Sequence, residues 1–153
     1  GEIAAGLGLG ALPVVGTAMV QDGTLGQTAI AASVPAFFMT FNLLLLNEFP
    51  DEGPDREGGR RNLVILLGRK TAALIYSLAA LSVPVSIVVA IMFDWLPWLC
   101  LLAAVPSLLL AQPLRWAFSK PEEAVPIPAL ASNVVWILST NTALALTLIV
   151  NKV

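Results

Sequence analysis

The sequence predicts an all-α, polytopic transmembrane bundle of five spans, and three observations predict it. Of 153 residues, 58% are apolar and 12% charged, with a mean hydropathy of +0.86; soluble domains carry about twice that charged fraction. The apolar residues fall into five long runs almost free of charge, and the basic residues gather in alternate connections between them. A bilayer core of ~30 Å takes about 20 helical residues at ~1.5 Å each, and lipid forces backbone groups to pair within the segment. The runs are continuous rather than alternating and exceed the ~10 residues of a barrel strand, so helices are the better reading.

The first run, residues 3–20, is rich in small residues: Gly6, Gly8, Gly10 and Gly16. Small faces let helices approach closely in lipid. The run lacks the basic flank of a secretory signal and opens with Gly1-Glu2, so the chain is expected to start within a longer protein. The second run is 28–46, the third 71–93, the fourth 95–114 and the fifth 130–150. Pro13, Pro35, Pro84 and Pro106 fall inside runs, where each is expected to bend its helix. Asn133, Asn141, Ser132, Ser139 and Thr140 are polar groups at membrane depth in the fifth run. Interhelical hydrogen bonds are their first explanation, with a place for Asn133 beside a bound ring as the second. Trp95, Trp98 and Trp116 lie near run ends, either as interfacial anchors or as filler between helices.

Arg56, Arg60, Arg61, Arg69 and Lys70 lie between runs two and three, and Arg115 and Lys120 between runs four and five. Only Lys152 lies elsewhere. Seven of the eight positive charges therefore occupy alternate loops, which the positive-inside rule assigns to the cytoplasm.

Composition also excludes function classes. Eight Lys and Arg against ten Asp and Glu leave a net charge of −2, with no clustered positive surface for nucleic acid. Cys100 is the single cysteine and histidine is absent. Internal disulfides, thiolate zinc clusters, His-based metal sites and imidazole catalysis are all ruled out. Chemistry falls to carboxylates, Arg, Lys and amides.

One segment concentrates them. Residues 47–70, NEFPDEGPDREGGRRNLVILLGRK, hold five of the ten acids and five of the eight bases. Asn47, Asp51 and Asp55 are four apart, so they share a face if the second helix continues, although Pro50, Gly53 and Pro54 weaken it. Hard divalent cations offset the repulsion of such carboxylates; Mg²⁺ takes one or two of them, keeps waters and fills its shell with phosphate oxygens. Arg56, Arg60 and Arg61 suit forked contacts with the same phosphate. Together they describe a Mg²⁺-diphosphate site at one mouth of a lipid-accessible bundle, weighed against a merely solvated loop.

The residues Asn47, Asp51, Asp55-Arg56-Glu57, Gly59-Arg60, Leu63-Val64 and Leu67-Gly68 resemble the second aspartate-rich motif of the UbiA superfamily of intramembrane prenyltransferases. The closest resemblance is to the branch acting on 1,4-dihydroxy-2-naphthoate in menaquinone synthesis, with its pattern N-x-x-x-D-x-x-x-D-R-x-x-G-(K/R)-x-x-L-V-x-x-L-G. GEIAAGLGLGALPVVGTAMVQDG at the start and PALASNVVWILS near the end resemble its flanking helices. The resemblance implies a fold of about nine helices in two related halves, this chain being helices five to nine. The N-terminal half with the first motif is missing. It also implies that Asp51 and Asp55 bind Mg²⁺ and are catalytic. Asn47 supports the metal or the diphosphate, Arg56 and Arg60 contact the diphosphate, and Arg56 has a rival role as an ion-pair partner within the loop. Glu48 and Glu57 are weaker candidates. Leu66 stands where many relatives carry an Arg, with Arg69 as the candidate substitute. The implied partners are a polyprenyl diphosphate, an aromatic acceptor and membrane lipid, and the implied location is a bacterial or archaeal cytoplasmic membrane. The alternative is a non-catalytic or split module that binds a lipid diphosphate or assembles with another membrane protein.

Overall fold

The computed structural model describes residues 1–151; Lys152, counted above in the tail, lies outside them. Five helices are long and apolar enough to cross a membrane, and no strand occurs among the described residues. They are α1 (Glu2–Asp22), α2 (Gln27–Glu48), α5 (Arg69–Met92), α6 (Trp98–Ser119) and α7 (Ile127–Asn151). Between α2 and α5 the chain forms two short helices, α3 (Glu52–Glu57) and α4 (Leu63–Leu67).

The connections end these helices by recognisable means. Gly23 adopts a left-handed φ of 69° and its N–H caps α1 on the Met19 carbonyl. Asp94, at φ 58°, turns the chain between α5 and α6 in a conformation that short polar side chains tolerate. Asn62 caps α4 by accepting a hydrogen bond from the Ile65 N–H at 2.9 Å.

Two of the four prolines coincide with a change of helical winding. Pro13 lies two residues beyond the end of a π-helical stretch, Gly6–Ala11, and Pro106 lies in a 3₁₀ stretch, Trp98–Leu110. A proline ring displaces the carbonyl four residues earlier and removes one N–H, so the ladder is rewound nearby. Pro35 and Pro84 sit inside unbroken α-helix.

The interior combines large apolar side chains, Met39, Leu45, Ile87 and Trp136 among them, with small ones, and large apolar side chains also cover the outside. Ala31, Ala72, Ala73, Ala80, Ala103 and Ala129 are buried, whereas Leu9, Val20, Met92 and Leu108 stand exposed on the outside. Lipid tails are as apolar as Leu, so what selects the interior is close approach rather than hydrophobicity. Helices α6 and α7 form the most extensive pair, α1 packs along α2 almost as extensively, and α2 against α5 follows. The first helix rests on α2. A Cβ at Gly10 would meet the Ala36 carbonyl oxygen at 2.5 Å, and one at Gly6 would meet the Phe37 ring at 2.8 Å, so these two glycines make the seam. Gly8 and Gly16 face open space.

Two polar side chains at depth pair across helices, whereas the buried Thr140 hydroxyl finds no hydrogen-bond partner. Tyr76 of α5 donates to Asn133 Oδ1 of α7 at 2.8 Å, and Asn42 of α2 donates to the Tyr76 carbonyl at 3.2 Å. The first explanation of Asn133 is thus the one the structure displays. Of the tryptophans, Trp98 is exposed and Trp116 is buried edge-on against Phe49.

Candidate functional site at the charged mouth

The segment 47–70 and the connection between α6 and α7 meet at one end of the bundle. Arg69, the first residue of α5, reaches across both. Its Nε donates to the Pro121 carbonyl at 2.9 Å and its Nη2 to the Glu123 carbonyl at 2.9 Å. Its Nη1 donates to the Phe49 carbonyl at 3.1 Å and to Glu52 Oε2 at 3.0 Å. The guanidinium also lies over the Phe49 ring, 5.2 Å from its centroid. Trp116 Nε1 donates to the same Glu123 carbonyl at 3.2 Å. Arg69, named above as the candidate substitute for the Arg that relatives carry at the Leu66 position, therefore has its fork committed to four protein acceptors. The hydrogen bond from Arg69, ahead of that from Arg56, holds the Glu52 carboxyl below the usual carboxylate range.

The three residues four apart do not share one helix. The second helix stops at Glu48, a turn follows, and α3 starts at Glu52. Pro50 lacks the N–H that would continue the ladder, while Pro54 is tolerated in the first turn of α3, where N–H groups have no helical partner. Asn47 lies in the last turn of α2 with its side chain exposed, and Asp51 lies in the turn, also exposed. The Asp51 carbonyl accepts the Asp55 N–H at 2.9 Å, which keeps the two residues one turn apart.

Asp55 is buried and knits the loop. One carboxylate oxygen accepts from Arg60 Nη1 at 3.1 Å and the other from Asn62 Nδ2 at 3.0 Å, while its carbonyl accepts the Arg60 N–H at 2.9 Å. Arg56 pairs with Glu52 at 2.9 Å, the ion-pair role named as its rival assignment, and its side chain is 62% exposed. The Arg60 side chain is 72% exposed. Both guanidiniums thus keep donors toward water at the mouth.

Sequence reasoning missed Glu2. This acid is buried, and its Oε1 accepts the Leu63 N–H at 2.6 Å, anchoring the first turn of α4 to α1. Beside it Glu48 is buried, with Oε2 lacking a protein partner. The available signal was an acid at the very edge of an apolar run, where only a partner or the interface makes it affordable.

The donor set fits Mg²⁺ in part. Among the described residues no three acids or cysteines converge into a metal cluster, so the loop is no dedicated cage. Asp51 is an exposed carboxylate with no hydrogen bond from the protein, and each Asp55 oxygen keeps a second lone pair. Mg²⁺ asks for one or two such carboxylates and takes its remaining ligands from water and phosphate.

A model of the UbiA prenyltransferase family matches residues 1–136. No curated protein and no solved structure matches the chain. A family model covering so much of a five-span bundle decides the class, and the chain belongs to the UbiA prenyltransferase family.

Proposed function

We propose that this chain supplies the second aspartate-rich half of an intramembrane prenyltransferase site, moving a polyprenyl group from an allylic diphosphate to an aromatic acceptor. The observation that carries this is the mouth itself: exposed Asp51, Arg56 and Arg60 on one cross-linked loop, directly above an apolar bundle. Such a mouth holds a diphosphate in water and its tail in hydrocarbon, each sequestered methylene contributing ~0.8 kcal/mol.

Asp51 and Asp55 would hold Mg²⁺, which when bound neutralises charge on the departing diphosphate. Arg56 and Arg60 bind and orient that diphosphate by charge-assisted hydrogen bonds, Arg60 giving up part of its contact with Asp55 to do so. Asn47, one turn before Asp51, supports the same headgroup. The apolar helix faces exclude water from the allylic cation, and no protein nucleophile is required. The acceptor class we favour is 1,4-dihydroxy-2-naphthoate, on the likeness of the 47–70 loop to that branch. The mouth then faces the cytoplasm, as its arginines suggest.

The other half of the site, with the first motif, comes from a preceding N-terminal half. The 153-residue chain alone is expected to be inactive. A prenyl-transfer assay on this chain and on the full-length protein tests the reading: turnover by the full-length protein that is abolished by chelation supports it, and robust turnover by the fragment alone overturns the shared site.

A further inference from the structure

Resting on that reading, we infer that Arg69 is a positioning residue: it fixes the turn that presents Asp51 by tying it to the Pro121–Glu123 backbone. Asp51 lies between Phe49 and Glu52, and Arg69 Nη1 donates to the Phe49 carbonyl at 3.1 Å and to the Glu52 carboxylate at 3.0 Å. One nitrogen thus holds both sides of the turn. The same guanidinium is fixed from behind by the carbonyls of Pro121 and Glu123, at 2.9 Å each.

Apart from the Asp55 N–H donating to the Asp51 carbonyl at 2.9 Å, the turn has little else to hold it. Asp51 makes no side-chain cap bond to α3, and Pro50 contributes no N–H. Phe49 is buried between the guanidinium and the Trp116 ring, whose centroid is 4.9 Å away. Four hydrogen bonds radiate from one planar group at fixed angles. A lysine keeps the charge but, as a point donor on a flexible stem, cannot reach both loops at once. The connection between α6 and α7, which carries none of the motif residues, thereby becomes part of the diphosphate site's support.

The experiment uses the full-length protein in nanodiscs, with Arg69→Lys as the main variant. Two readouts are taken: amide exchange across residues 49–57, and Mg²⁺-dependent binding of a thiolo analogue of a prenyl diphosphate. Exchange in the turn should speed up, and analogue binding should weaken, each by about tenfold, the scale of one lost hydrogen bond to a charged group. KM for the aromatic acceptor should not move, whereas general unfolding would shift both substrates and all segments. Should Arg69→Lys fail to fold, Glu52→Gln, which leaves the three carbonyl contacts in place, should show the same pattern at about threefold, in keeping with a weaker neutral hydrogen bond.

Unchanged exchange across 49–57 in Arg69→Lys overturns the tie. Faster exchange with unaltered analogue binding overturns the positioning role. Failure of the wild-type protein to bind the analogue at all sinks the proposed function instead, and the exchange arm still decides whether Arg69 orders the turn.

Discussion

The two ends of this bundle are built by different rules. At the charged mouth, residues distant in sequence are cross-linked by polar bonds: Arg69 to Pro121 and Glu123, Asp55 to Arg60 and Asn62, Glu2 to Leu63. At the opposite end, the turns after α1 and α5 rely on a left-handed Gly23 and Asp94, and the cross-links seen there are Thr28 Oγ1 donating to the Trp95 carbonyl at 3.1 Å and Thr147 Oγ1 donating to the Cys100 sulfur at 3.4 Å. A cavity of about 700 Å³ opens between α1, α2 and α7 at that end, lined by Pro13, Thr17, Asp22, Thr28 and Leu148 among others. Polar cross-links are thus concentrated at the charged end, and the far end relies more on backbone geometry.

The sharpest way to break this comparison is at Asp51. Asp51→Asn removes a carboxylate that no protein group uses, so prenyl transfer by the full-length protein should fall by about two orders of magnitude or more, the scale of losing one electrostatic stabiliser, while thermal unfolding in detergent stays unchanged. Asp55→Asn should lose activity on the same scale but also loosen the loop. Its Arg60 and Asn62 partners lose charge-assisted bonds, for about 1–3 kcal/mol, visible as faster exchange over residues 55–63. Equal stability of the two variants would dissolve the distinction between a free and a structural aspartate.

A smaller effect is expected on the seam. Gly10→Ala drives a methyl group into the Ala36 carbonyl, and overpacking of this kind costs roughly 1–3 kcal/mol. The first helix should separate from α2, measured as loss of a cross-link between cysteines introduced on the two helices or of spin-label proximity between them, whereas Gly8→Ala should be neutral. Tyr76→Phe, which strands Asn133 Oδ1, should cost about 0.6 to 1.7 kcal/mol. The smallest change concerns pH. The Glu52 carboxyl is held below its usual range, so its share of the stability at the mouth is fully present above ~4.3. It is lost as pH falls through the lowered folded value. Acid should therefore loosen residues 49–52 in exchange measurements before Thr28 and Trp95 separate.

Membrane spans are legible in the sequence because length and charge exclusion follow directly from the bilayer. Five long apolar helices stand where the five runs lie, with ends displaced by a few residues: Trp98–Ser119 for 95–114 and Ile127–Asn151 for 130–150. Helix winding was not legible, because Pro13 and Pro106 advertise a fault without saying whether the ladder loosens or tightens. At the mouth, residue types announced the chemistry, but the partners did not follow from spacing. The four-residue interval of Asn47, Asp51 and Asp55 suggested one helical face, and Pro50 turned it into two helices and a turn. Arg69 stood out in the sequence only as a candidate substitute for the Arg that relatives carry at the Leu66 position. Its actual partners, at 49, 52, 121 and 123, are set by tertiary approach.

The tighter winding of Trp98–Leu110 bears on the membrane as well as on the helix. At ~2.0 Å per residue instead of ~1.5 Å, these 13 residues reach about 6 Å further than an α-helix would. The fourth span is therefore matched to a thicker hydrocarbon layer than its residue count suggests, and a thinner bilayer favours rewinding it toward α. Its far end leads through Ser119 into Pro121 and Glu123, the backbone that Arg69 grips. Shortening the lipid chains is therefore expected to reach the charged mouth through the pitch of this helix, measured as altered amide exchange across residues 119–123.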